Sequence, residues 1–193
     1  NEAARRYDFL VASFSDITVY KNMKTLCATG HRPKDLPWNK NDLSDKRRLC
    51  YLDKMREIIV SCIADGYTHF ISGAALGVDT DFALTVLNLK ENYPFIRLEL
   101  AIPCREQNKF WTEKESEIYL DLQNKADKVT VLSEFYTPYC MQKRNEYMVD
   151  KSDAVLCCYN GAKSGGTYNT IKYAKRKNKP LFMIDLSPLF TLI

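Results

Sequence analysis

Six short apolar runs rich in β-branched residues constrain this chain more than any other feature. They lie at Thr25–Ala28, Thr68–Ser72, Arg97–Ile102, Lys128–Leu132, Asp153–Tyr159 and Pro180–Asp185. Each is short and most are bounded by turn or polar residues, as buried strands are. Their starts are roughly 25 to 43 residues apart, which is room for a strand, a crossover helix and two loops. The intervening segments read as helices. Ser44 is placed to cap a first helix running to about Asp65, with Leu49, Leu52, Met55, Ile59 and Cys62 on its apolar face and Gly66 just past its end. Four more are expected over Gly77–Leu89, Trp111–Lys125, Pro138–Lys151 and Thr167–Lys177. Strands alternating with helices predict an α/β Rossmann-like three-layer sandwich with a mostly parallel sheet of about six strands.

Residues 1–23 stand outside this rhythm. Tyr7, Leu10, Val11, Phe14 and Ile17 have helical spacing, so the segment reads as an N-terminal extension or linker, and residues 24–193 as the domain. The chain opens on Asn1 without a signal-peptide pattern, which fits a trimmed chain or a domain cut from a longer one. No stretch approaches the roughly 18 apolar residues of a spanning helix, so no membrane role and a cytoplasmic location are expected.

Seven cysteines in 193 residues show no CxxC spacing, and several sit in apolar runs. This predicts reduced, packed thiols and neither a disulfide framework nor a metal site. The net charge of +4 is mild and accommodates an anionic ligand without marking a polyanion binder.

In a parallel sheet, ligands bind beyond the carboxyl ends of the strands. The loops there carry the chemistry. After the first strand stand Thr29, Gly30, His31, Arg32 and Pro33: a glycine turn, then a guanidinium fork suited to phosphate or carboxylate. After the second come Ser72, Gly73, Ala74 and, opening a helix, Asp79, which either complements the helix dipole or accepts from a ribose hydroxyl. Gln107 follows the third strand and would read a base edge or fix a loop; Trp111 beyond it reads as packing. Arg144 and Asn145 begin a polar face on the fourth helix. Ser164, Gly165, Gly166 and Thr167 offer unencumbered amides and two hydroxyls at a helix N-terminus, which suits phosphate. The spacing is that of neither a Walker loop nor G-x-G-x-x-G, so ordinary dinucleotide binding has no support and no cofactor is assigned.

Taken in order, Thr29-Gly30-His31-Arg32-Pro33, Ser72-Gly73-Ala74-Ala75-Leu76-Gly77-Val78-Asp79, Pro103 with Gln107 and Trp111, Arg144-Asn145 and Gly165-Gly166-Thr167 resemble the SLOG superfamily, closest to its YpsA-like family, over about residues 25–186. The second motif is also similar to DNA-processing protein A, a single-stranded DNA binder. Met141 and Arg144 with Gly165-Gly166 are similar to the lonely-guy phosphoribohydrolases. Those enzymes place a Glu shortly after the Gly-Gly pair to cleave a nucleoside 5′-monophosphate. Here that stretch reads Thr167-Tyr168-Asn169-Thr170-Ile171-Lys172, with Asp79 and Glu146 the only local acids. The resemblance therefore implies binding or sensing of a nucleotide-derived phosphorylated small molecule. A nucleoside 5′-monophosphate N-glycosidase and a single-stranded DNA-binding protein are the alternatives, the second drawing on the basic run Lys172, Lys175, Arg176, Lys177 and Lys179. It also implies a homo-oligomer, a dimer in the simplest case, and the apolar Leu189-Phe190-Thr191-Leu192-Ile193 end would prefer cover.

Overall fold

The computed structural model describes residues 23–191. The expected helix over Tyr7–Ile17 and the last two residues of the apolar C-terminal end lie outside them. Six strands form one sheet: β1 (Lys24–Gly30), β2 (Tyr67–Ser72), β3 (Arg97–Ile102), β4 (Lys128–Val131), β5 (Ala154–Tyr159) and β6 (Leu181–Asp185). Every adjacent pair is parallel, and the order is β4-β3-β2-β1-β5-β6. Five α-helices connect them: α1 (Lys46–Ala64), α2 (Val78–Leu89), α3 (Glu113–Lys125), α4 (Cys140–Asp150) and α5 (Gly166–Arg176). All six expected strands and all five helices form, with ends moved by a few residues.

The moved ends have local causes. Asp45, not Ser44, caps α1, because its carboxylate accepts from the Arg47 amide at 2.8 Å while Ser44 is turned back onto Asp42. Leu49 is correspondingly off the apolar stripe and 46% exposed; Tyr51, Met55, Ile59 and Cys62 carry the buried face instead. The third helix begins two residues later than expected, where Thr112 and Glu115 form a reciprocal capping box.

Two cores sandwich the sheet. On one face Leu26, Phe70, Leu98, Leu100 and Leu156 meet Met55 and Ile59 of α1, Phe82 and Val86 of α2, and Tyr119 and Leu122 of α3. On the other, Cys27, Ile71, Val155 and Cys157 meet Met148 of α4 and Ile171 and Ala174 of α5. The alternation along each strand, for example Leu26 to one side and Cys27 to the other, is the period-two pleat. Six of the seven cysteines are buried, and all seven are free thiols. In the C-terminal 3-10 turn Leu189 is buried against the domain, while Phe190 is 46% exposed.

On the second face α4 covers the middle of β2 and β3, where Ile71 and Ala101 are buried. A charge sits there inside the sheet. Glu99 of β3 is 2% exposed and takes Thr130 Oγ1 and Tyr147 Oη at 2.7 Å, with Lys128 Nζ at 3.2 Å and His69 Nε2 at 3.0 Å. Burial works to raise this carboxyl, but donors from His69, Thr130, Tyr147 and Lys128 outweigh it and bring the pKa down to about 2. A carboxyl held below its unfolded value stabilises the fold above that value and loses the contribution as pH falls. Glu99 should therefore contribute on the order of 3 kcal/mol near neutrality, lost between pH 4.5 and about 2. Urea unfolding across that range should show the gap between wild type and Glu99→Gln closing as pH falls; a constant gap would refute this role.

Candidate functional site

The strand order reverses at β1: β2, β3 and β4 run to one side of it, β5 and β6 to the other. The loops leaving the carboxyl ends of β1 and β5 consequently part, and a crevice opens between them. A cavity of about 470 Å³ occupies this point, within the size range of small-molecule sites. Four segments from distant parts of the chain wall it: Thr29–Arg32 with Asp35, Ala75–Asp79, one face of α4, and Asn160–Thr170.

Of the residues anticipated from the sequence, Thr29, Gly30, His31, Arg32, Asp79, Arg144, Asn145, Ser164, Gly165, Gly166 and Thr167 line this cavity. Ser72, Gly73, Ala74 and Gln107 stand behind its wall. The Ser72 hydroxyl donates to the Asp79 carbonyl at 2.7 Å and accepts from the Ala74 amide at 3.1 Å, fixing the start of α2. Gln107 is buried and donates from Nε2 to the Ala74 carbonyl at 2.8 Å, so it fixes a loop and does not face a base. Trp111 packs edge-on against Tyr119, as a core residue.

The loops are welded to one another. Gly77 adopts φ +94°, and a Cβ there would stand 2.5 Å from the His31 carbonyl. The Val78 amide donates to that carbonyl at 3.2 Å. A Cβ on Gly30 would meet Val78 at 2.5 Å, and the Gly30 carbonyl accepts from Thr167 Oγ1 at 2.8 Å. His31 stacks on Tyr159 at 5.7 Å, and its Nε2 accepts from the Asn160 amide at 3.2 Å. Burial lowers the His31 pKa, partly opposed by Asp35, so the ring is the neutral acceptor that this bond requires. The assignment of His31 is thus positional: it ties the β1 loop to the β5 loop.

Arg144 is the most deeply buried charge of the cavity wall. It is 5% exposed, and its Nη1 donates to Asp79 Oδ2 at 2.9 Å, joining α4 on one face of the sheet to α2 on the other. Gly73 makes room for this: a Cβ there would lie 1.2 Å from Nη1. The Arg144 Nε, also buried, has no partner among the described residues. Arg32 is partly buried beside the pair. Burial depresses its pKa, Asp79 opposes that, and the neighbouring Arg144 adds to it. Two guanidinium groups thus share one cavity: Arg144 is paired with Asp79, and Arg32 makes no ion pair among the described residues, which favours a further anion.

Two glycines differ from the rest. Added Cβ atoms at Gly165 and Gly166 would meet nothing within 4 Å. They open α5, whose first amides have no side-chain cap, onto the cavity. Free amides, a positive helix end and open space together fit a phosphate. The acids weighed for hydrolysis are engaged: Asp79 holds Arg144, and the Glu146 carboxylate accepts from Gln142 Nε2 at 2.9 Å and lies outside the cavity lining. Sequence reasoning missed Asp35, an exposed residue of the cavity lining, and Met148, which with Met141 of the motif noted above lines its apolar side. The 3-10 turn at Pro33–Asp35, opened by a proline, was the available signal for Asp35. Among the described residues no cluster of His, Cys, Asp and Glu could hold a metal ion, and no helix is long and apolar enough to cross a membrane.

Removing one partner of a buried ion pair strands the other charge, at about 3–5 kcal/mol. Arg144→Ala and Asp79→Ala should each destabilise by that order. The double variant Arg144→Ala with Asp79→Ala should lose much less than the sum of the two, read by urea denaturation. Strict additivity would show that the two groups are not coupled.

Comparison with known proteins agrees with the topology. The chain is 36% identical over 137 residues to the uncharacterized SPbeta prophage-derived protein YoqJ of Bacillus subtilis (strain 168), covering 64% of this chain and 80% of the relative. It is 28% identical over 159 residues to a UPF0398 protein of Bacillus thuringiensis (strain Al Hakam), covering 81% and 85%. A solved structure of DNA processing protein A from Helicobacter pylori, described for its single-stranded DNA binding mode, shares the fold with a TM-score of 0.54 at 19% identity, over 87% of this chain and 68% of that one. The model of the YspA SLOG family matches residues 26–189, nearly every residue from β1 to the last turn, and the chain belongs to that family.

Proposed function

We propose that the cavity binds a compact, phosphorylated, nucleotide-derived ligand and that this chain serves as a binding or sensing domain for it. The observation that carries the reading is the pair of open glycines at the head of α5, facing the same cavity as Arg32 and Arg144. The phosphate would take the amides of Gly166 and Thr167, the Ser164 hydroxyl and the two guanidinium groups. The side lined by Met141 and Met148 offers apolar cover for a base. A ligand of this size fits about 470 Å³, whereas a long polyanion needs an extended track.

The alternatives have less behind them. Glycosidic cleavage needs a carboxylate where positive charge develops; Asp79 and Glu146 are held by Arg144 and Gln142, which leaves the exposed Asp35 as the unengaged carboxylate of the cavity lining. For single-stranded nucleic acid, the basic run starts at Lys172, two residues past Thr170 of the cavity wall, and leads away from the cavity along α5 to Lys179. There Lys177 pairs with Asp150, and Lys179 is bonded to the Ser152 carbonyl. The homo-oligomer that the family resemblance implies and the cytoplasmic setting that the unpaired cysteines suggest belong to the same proposal.

Thermal shift with inorganic phosphate, AMP, a cyclic nucleotide and ADP-ribose at millimolar concentration tests the reading. A ligand at a hundred times its Kd stabilises by about 2.7 kcal/mol, several degrees for a chain of this size. The decisive variant is Gly166→Ala. Its methyl meets no protein atom, so the unliganded Tm should hold or rise slightly. The shift given by phosphate and AMP should disappear. No stabilisation of the wild type by any of the four compounds would end the proposal.

A further inference from the structure

The charges lining the cavity do not describe a simple anion hole. Arg32 and Arg144 are matched by Asp79 and Asp35. Asp79 is spent on Arg144, as shown above. Asp35 is different: its carboxylate is exposed and takes no hydrogen bond or ion pair among the described residues. A free carboxylate on the lip of a phosphate site weakens the binding of every bare anion. It is useful only if the ligand brings hydrogen-bond donors as well as negative charge.

Its placement is rigid. Pro33 opens the 3-10 turn, the Asp35 amide donates to the Arg32 carbonyl at 2.9 Å, and Leu36 closes the turn on Pro33. Gly77 lets this turn lie close, since a Cβ there would stand 3.2 Å from Pro33 Cδ. Arg32, the extended residue that caps this turn, and Asp35, its last residue, both line the cavity, a cation and an acceptor, with His31 near enough to feel the carboxylate. A carboxylate has lone pairs for two donors at once, which matches two adjacent hydroxyls.

We propose that Asp35 is a specificity-determining residue of this cavity, accepting hydrogen bonds from the vicinal hydroxyls of a ribose 5-phosphate unit whose phosphate lies at the head of α5. The inference rests on the reading of the cavity as a phosphate site and narrows it to ribosyl, not deoxyribosyl, phosphates.

Titration calorimetry with ribose 5-phosphate, 2-deoxyribose 5-phosphate and inorganic phosphate on the whole chain tests it. In the wild type, ribose 5-phosphate should bind about tenfold more tightly than its 2-deoxy analogue, the worth of a charge-assisted hydrogen bond. In Asp35→Asn and Asp35→Ala that ratio should fall toward one. A loss of fold would weaken all three ligands together and leave the ratio unchanged, so the ratio isolates the contact. A wild-type ratio near one, or a ratio that survives both substitutions while phosphate still binds, overturns the role of Asp35 and leaves the phosphate site standing. If neither sugar phosphate nor inorganic phosphate binds, the phosphate reading fails and this one falls with it.

Discussion

The ion pair between Arg144 and Asp79 is the interaction on which the site depends. It is buried, 2.9 Å long, and spans the carboxyl edge of the sheet between a helix of one layer and a helix of the other. Two charges leave water only where geometry and further bonds repay them. The repayment here is structural: the pair fixes the lateral position of α4 over the sheet and thereby one wall of the cavity. It also explains Gly73, where any side chain would displace the guanidinium.

The glycines of the site divide into two kinds by what surrounds them. Gly30, Gly73 and Gly77 are filled against: protein atoms occupy the space a Cβ would need. They let three loops approach within hydrogen-bonding distance. Gly165 and Gly166 are empty around, and their space faces the cavity. The first kind builds a rigid frame and the second leaves room for a ligand. Preorganisation of this sort spares the cost of ordering loops on binding.

Electrostatics in the cavity are local and directional. The balance of two guanidinium groups and two carboxylates would look neutral as a sum. Yet one carboxylate is consumed inside the wall, while the other stands at the lip. The uncapped head of α5 adds partial positive charge at one end only. The result is a site with an anion-favouring end and an acceptor at its edge, which is more selective than net charge conveys. The mild +4 of the whole chain carries little of this information.

The sequence by itself determined the architecture. Six apolar runs at crossover spacing leave few arrangements other than a parallel sheet between helices, because each strand and helix must bury one face. It also located the loops of the site, since small residues at strand ends and helix starts are a local signal. Eleven anticipated residues line the cavity, and four others stand behind it. What only the tertiary structure decided is which polar groups satisfy one another. That Gln107 bonds a loop, that His31 is held as a neutral acceptor, that Asp79 is spent on Arg144 and that Asp35 is left over are facts about residues up to 129 positions apart. Hydrogen bonds act within about 3 Å, and no pattern along the chain encodes which distant partners the fold brings to that distance.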